Sequence, residues 1–419
     1  MIFNNRNFTL YTMGRFISII GSGIQDIAII LYILDITKSG TMVGILGLMS
    51  TIPRLILLPI SGVIGDVWNR KYIMVVTDLA NGILVLTLFI LTMLGHTNMI
   101  IIFIVQAILS MLSIIFRCAT RAMIPELVAD KELAKSNATI KGIENFTQVM
   151  APILGAIIYG LGGIKIVFLI NGISFILSGL SECFIKYNRS KVEENVSIIN
   201  SYEKFLEGFR FIKRNEGIKQ ICYLYTFSST LIIPLISVVI PFVLKEVIKF
   251  SDYQFSILQS SYVVGMFIGS IAIGTLLSNL KERSIIRLGL FSSIIIVIIF
   301  TLIVSPFAIK YFKEFILSYM ILVGLVLAIM GGIDIIYDTP VETNLQRMIP
   351  NNMRSRVLAT TQFIFGLGIP LGQAVFGFLL DKVSVFSVLG ILSVVYAIGV
   401  LIFLINATED VYGTELIST

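Results

Sequence analysis

The chain has 419 residues, 56% of them hydrophobic and 13% charged, with a mean hydropathy of +0.95. A soluble domain is roughly half apolar and a quarter charged, so the excess cannot all be core and must face lipid. The net charge of +6 comes from basic residues dispersed through loops, which excludes the one-sided basic face of a nucleic-acid binder.

Apolar runs predict an all-α membrane protein with twelve transmembrane helices. They fall at 8–34, 41–64, 72–94, 97–117, 137–163, 164–185, 218–244, 254–280, 284–305, 315–337, 357–380 and 384–406, each about the length of the hydrocarbon core. The N-terminus lacks a small-residue cleavage site after a short apolar core, so the first helix reads as retained. With a cytoplasmic N-terminus, the inner connections hold 21 Lys and Arg and the outer ones seven. That bias fits the positive-inside rule and places both termini in the cytoplasm. Arg15, Arg54 and Lys141 remain inside spans.

In the first span, Asp26 lies beside Gln25. A carboxylate at that depth costs roughly 2.5–3.5 kcal/mol on insertion scales, so it should face a cavity or a partner rather than lipid. Arg54, after Pro53 in the second span, differs from it by roughly 8 Å in depth, within an arginine's reach. Two readings stand: Asp26 loads and releases a proton, balanced between desolvation and this cation, or the two form a permanent structural pair. Arg15 shares the face of Asp26 but lies roughly 16 Å away along the axis, so it is expected to snorkel to the inner surface.

Residues 62–72, GVIGDVWNRKY, connect the second and third spans. Gly62 and Gly65 allow the helix to end and the chain to turn tightly, while Arg70 and Lys71 mark the cytoplasmic side. In the fifth span Asn137, Lys141, Glu144 and Gln148 follow three- and four-residue steps and share one face. Lys141–Glu144 reads as a structural pair, with Glu144 also a candidate for proton coupling. Gln148, deeper, is a cavity candidate together with Gln25. Pro152 and Gly155 predict a kinked helix packed closely on a neighbour.

The polar stretch 186–219 divides the spans six and six. Within it SYEKFLEGFRFIKR places Phe205, Phe209 and Ile212 at helical spacing beside basic residues. This reads as an amphipathic helix on the inner surface, or a solvated linker with a helical stretch. The expected organisation is an N-terminal six-helix bundle (1–186), a linker (187–217), a C-terminal six-helix bundle (218–407) and a tail (408–419). The halves echo each other: Met123-Ile124-Pro125 recurs as Met348-Ile349-Pro350, Pro152/Gly155 as Pro370/Gly372, and Gly62/Asp66 as Gly274/Ser278. Tyr223 and Tyr225 are candidates for an apolar substrate surface, as are Tyr32, Phe146 and Phe227, although packing or lipid contact accounts for any one of them. Asp334 and Asp338 share a face near the inner end of the tenth span. Gly265 and Gly269, and Gly368 and Gly372, provide four-residue glycine spacings for close helix approach.

Cys118, Cys183 and Cys222 are scattered and read as reduced thiols. His96, the only histidine, has no cluster around it that suggests a metal site. No G-x-x-x-x-G-K-[ST] motif and no nucleophile–base constellation is visible, so neither a cofactor nor an enzymatic role is expected.

Residues 62–72 resemble the G-x-L-a-D-r-x-G-r-k signature of the major facilitator superfamily. Gly62, Ile64, Gly65, Asp66, Arg70 and Lys71 match or nearly so, with Val67 and Asn69 departing from it. The resemblance continues in GSGIQDIAI and LDITKSG at the first span and in TRAMIPELVADKELAKSNA after the fourth, as in the branch of macrolide-efflux proteins and the enterobactin exporter. It implies two pseudo-symmetric bundles, a monomer in the cell membrane, and alternating access with export of a small amphipathic molecule driven by protons. It also implies that Asp66 meets the start of the eleventh helix near residues 354–357, as a latch that holds one state. A purely topological role for these charges is the alternative. Pro152 and Gly155 resemble remnants of the antiporters' fifth-helix motif, with Ala151 and Ala156 where that motif has glycines. The glycine pairs at 265/269 and 368/372 are expected, on the same resemblance, at a sliding contact between halves. Uptake of a nutrient or lipid, and a non-transporting sensor or scaffold, are the competing functions.

Overall fold

Backbone amides in hydrocarbon have no water to bond, so an apolar run must satisfy them within itself, as a helix. The computed structural model describes residues 5–129, 132–187, 198–350 and 353–413, and its long elements are all helical. They are α1 (Arg6–Thr37), α2 (Gly40–Val67), α3 (Arg70–Met93), α4 (Met99–Leu127), α5 (Leu133–Cys183), α6 (Ile198–Arg214) and α7 (Glu216–Pro234). After the short α8 (Ile240–Phe242) come α9 (Asp252–Gly274), α10 (Glu282–Ile303), α11 (Pro306–Phe312), α12 (Ile316–Met348), α13 (Arg354–Lys382) and α14 (Val385–Asn406).

Among the described residues, eleven helices are long and apolar enough to cross a membrane. One of them is the 51-residue α5, which carries two spans. It bends at Gly163, whose φ of 65° and ψ of −172° lie in a region essentially reserved for glycine. Twelve spans follow, with the break where the sequence placed it. The seventh continues beyond α7 through α8, flanked by π-helical turns at Leu235–Val239 and Val243–Val247. Pro241 sits between them. It has no N–H for an i−4 bond, and the amides of Ile240 and Ile248 reach five residues back, to Leu235 and Val243.

Caps close several helices where the sequence supplies a short polar side chain. Asn69, Asn98 and Asn215 accept from the amides of Tyr72, Ile101 and Ile218. Ser251 and Gln254 form a reciprocal capping box at α9. Helix α2 therefore runs on through Gly62, Gly65 and Asp66 to Val67, and only Trp68 and Asn69 make the turn. This corrects the expectation that the glycines end the helix: the stop comes from the Asn69 cap, at the position where the family signature has its second glycine.

The chain divides into two compact units, residues 1–37 with 45–203, and 38–44 with 204–419. In the first, α1 and α3 pack on α5, and α4 packs on α3. The end of this unit that carries the start of α1 holds an apolar cluster that includes Phe8, Tyr11, Met74, Met123, Leu127 and Ile140. In the second, α9 and α10 pack on α12, α7 packs on α13, and α14 packs on α10. This unit takes in the start of α2, where Asp381 accepts from the Ser39 hydroxyl (2.5 Å) and from the amides of Gly40 (2.7 Å) and Thr41 (3.1 Å). The short 3-10 turn Glu409–Tyr412 folds back onto α12, α7 and α10. Tyr412 is buried there under the guanidinium groups of Arg283 and Arg287.

Amphipathic α6 is docked rather than lying free. Glu207 pairs with Arg356 at 2.6 Å, Phe205 meets the ring of Phe363 edge-on, and Gly208 lies against Arg356 and Thr360 of α13.

Candidate functional site

Asp26 occupies the middle of α1. Its carboxylate interacts with the Arg54 guanidinium from α2 and the Gln106 amide from α4. Gln106 also donates to the Ser50 hydroxyl at 3.2 Å, and Ser110 donates to the Ser50 carbonyl at 2.6 Å. Three helices thus converge on one carboxylate. Asp26 itself is exposed in this unit. The structure brings Asp26 and Arg54 together as their depths predicted.

Gln25, its neighbour, faces the other way. It is buried and accepts a 2.8 Å hydrogen bond from Asn171 in the second half of α5. This corrects its assignment to the cavity: successive helical residues point about 100° apart, and here Gln25 points into the bundle while Asp26 is exposed.

Arg15 does not snorkel. It is largely buried, pairs with Glu144 at 2.5 Å and donates to the Thr120 hydroxyl at 3.3 Å. Glu144 is therefore paired to α1 instead of to Lys141, which stands exposed one turn away. Gln148 is also exposed on that face.

Two acids missed in the sequence lie deeper in the same unit. Asp78 of α3 is 1% exposed and Glu182, near the end of α5, is 0% exposed; Glu182 feels the charges of both Asp78 and Arg15. Each stands within three turns of a span end, so in the sequence they pass for boundary charges.

In the second unit Asp334 accepts from Tyr262 at 2.6 Å, and Tyr225 donates to the backbone carbonyl of Asp338 at 3.3 Å. Tyr225 also stacks on Phe365. Tyr223 instead lines a groove of about 260 Å³ between α7 and α14, with Gln220, Phe403 and Asn406. Its surface is external to the polar interior of the unit, which corrects its placement with Tyr225.

At the turn between α2 and α3, Arg70 pairs with Glu126 at 2.9 Å and the Lys71 ammonium donates to the Cys183 carbonyl at 2.8 Å. Arg70 and Glu126 belong to the two family-like stretches, which the fold brings together. The side chains of Gly62, Gly65 and Asp66 lie outside the described residues, so the latch expected of Asp66 does too.

The glycine pairs act within one unit. A Cβ on Gly265 would lie 1.8 Å from the Ala328 carbonyl of α12, and one on Gly269 2.5 Å from the Gly332 carbonyl. Gly368 and Gly372 press on Thr230 of α7 in the same manner. This corrects their assignment to a sliding contact between halves. Pro152 and Gly155 are buried, and a Cβ on Gly155 would lie 2.9 Å from the Ile24 carbonyl of α1.

Twelve hydrophobic spans with charged and amide side chains turned inward define a polytopic membrane carrier. The model of the Major Facilitator Superfamily matches residues 11–373, and the chain belongs to that family of transporters, whose members move small-molecule substrates rather than act as enzymes. Macrolide efflux protein A of Streptococcus pyogenes is 23% identical over 392 residues, 91% of this chain and 92% of that protein. The uncharacterized MFS-type transporter YvqJ of Bacillus subtilis (strain 168) is 20% identical over 95% of this chain and 92% of its own length. Among solved structures, a bacterial homologue of the iron transporter ferroportin in its inward-facing state superposes with a TM-score of 0.72 at 17% identity, over 99% of each chain. The nucleoside transporter NupG gives 0.71 at 14%, over 96% of this chain and 98% of that one. These structural likenesses establish the fold.

Proposed function

We propose that this transporter exports small amphipathic molecules in exchange for protons, by alternating access across the cell membrane, as a monomer with both termini cytoplasmic. The observation that carries the reading is the exposed carboxylate of Asp26 with Arg54 and Gln106 as its partners. A carboxylate there exchanges a proton with water while one cation remains as its alternative partner. Binding a proton releases Arg54, and losing it restores the pair, so the α1–α2–α4 contact changes with each cycle. Export of a macrolide-like compound is supported by the macrolide efflux relatives, which align over almost the whole chain. The inside bias of Lys and Arg supports the orientation.

Purified protein in liposomes with an imposed pH gradient tests it. A labelled macrolide should accumulate against its gradient when the substrate-receiving side is acidic, and collapse of the gradient should abolish accumulation. Asp26→Asn should remove the response to pH while substrate exchange at equal pH continues. Accumulation that ignores the pH gradient would reject proton coupling, and net flux toward the cytoplasmic face would turn the reading to uptake.

A further inference from the structure

Within the first unit, Asp78, Glu182, Asn81 and Ser178 gather in a dry interior, each less than 5% exposed. Both carboxyl oxygens of Glu182 have no hydrogen-bond partner, nor do Oδ2 of Asp78, Oδ1 of Asn81 or the Ser178 hydroxyl. The groups around the two acids are few: Arg15 and Tyr11 from α1, Cys183 on the same helix as Glu182, and Glu144 beyond Arg15. The Tyr11 hydroxyl is directed to the Thr120 carbonyl at 3.4 Å. Three carboxyl groups therefore face one guanidinium. That guanidinium already binds Glu144, and its Nε is buried without a partner.

We propose that Asp78 and Glu182 together form a second proton-binding site, buried in the N-terminal unit, with Arg15 as a counter-ion exchangeable between this pair and Glu144. Two carboxylates placed together in this dry interior, with the Ser178 hydroxyl beside Asp78, repel each other and lack the water that would solvate them. One proton removes a charge and supplies the O–H donor that the partner oxygen lacks. The surroundings grade from wet to dry along this path: the side chain of Glu144 is 36% exposed and that of Arg15 is 11% exposed, while the acid pair is sealed. If Arg15 swings from Glu144 to the pair, its charge replaces the proton, which leaves for water by way of Glu144. No covalent bond other than the acid O–H is made or broken.

The use of this site in transport rests on the proton-coupled reading above; its protonation is measured on the resting protein and stands apart from transport. The experiment is infrared spectroscopy of the full chain in lipid nanodiscs, following the C=O band of protonated carboxyl groups through a pH titration. Near neutral pH the wild type should show such a band, diminished in Asp78→Asn and in Glu182→Gln. Glu144→Gln, at a partly exposed position, frees Arg15 for the pair and should move the disappearance of the band to lower pH. Absence of the band in the wild type would overturn the proposal. A band indifferent to both acid substitutions would do the same, and if those variants fail to fold, an unchanged titration in Glu144→Gln decides against it.

Discussion

Gln25 and Asp26 are consecutive, polar and at one depth in the membrane, and the structure gives them opposite work. Asn171 donates to Gln25 at 2.8 Å in the bundle interior. Gln25→Leu removes that acceptor and leaves the Asn171 amide buried and unpaired, which costs about 1–3 kcal/mol. The variant should unfold at lower temperature in a thermal melt while proton-driven uptake into liposomes persists in the folded fraction. Asp26→Asn should show the reverse, with a melting temperature close to wild type and a lost response to the pH gradient. The sequence made both residues conspicuous, because lipid penalises both. It did not separate them, because that depends on the rotation of α1 about its axis, which its packing on α5 sets. Arg15 was misjudged for a related reason. Its distance from Asp26 was legible, but its partner Glu144 lies 129 residues away on another helix, and helical spacing within a segment carries no information about partners between segments.

At the scale of elements, hydrocarbon dictated nearly everything that could be read in advance: helical type, span number, and the break at Gly163. Helix contacts were legible only in part. Glycine at four-residue spacing announces a close approach and does not name the neighbour, so Gly265 and Gly372 were assigned to the wrong partner helices. Their true contacts give sharp expectations. Gly265→Ala would set a Cβ 1.8 Å from the Ala328 carbonyl, and Gly372→Ala one 1.9 Å from the Thr230 carbonyl. Both carbonyls are backbone, so the helices must separate, at about 1–3 kcal/mol each. Gly390→Ala in α14, with nothing within 4 Å of its new Cβ, should be neutral or stabilise by up to about 1 kcal/mol. Thermal unfolding of the three variants in one detergent checks the ranking. Helix α6 makes the same point from a polar segment. Its amphipathic pattern was visible, whereas its docking on α13 depends on Gly208, Glu207 and Phe205 meeting residues some 150 positions later in the chain.

For the whole molecule, the proposed orientation in the bilayer rests on loop charges alone, and the three cysteines offer a direct measurement of it. Cys183 is exposed at the end of α5, beside the α2–α3 turn where Lys71 binds its carbonyl, on the side proposed to be cytoplasmic. Cys222 is buried in α7, and Cys118 is intermediate, with its thiol donating to Ser61 at 3.2 Å. A membrane-impermeant maleimide applied to intact cells should therefore leave the wild type unlabelled, and permeabilisation should expose Cys183 as the fastest site. His96→Cys, in the exposed turn between α3 and α4, should label from outside without permeabilisation, because three spans separate it from the N-terminus. Three spans separate the two positions, α4 and the two of α5, so they must report opposite sides of one membrane whatever the orientation. Labelling of Cys183 in intact cells together with protection of His96→Cys would invert the topology and place the basic loops outside, against a charge bias of 21 to seven. Labelling of both from one side would contradict an uninterrupted set of spans between residues 96 and 183, and with it the reading of α5 as two crossings hinged at Gly163.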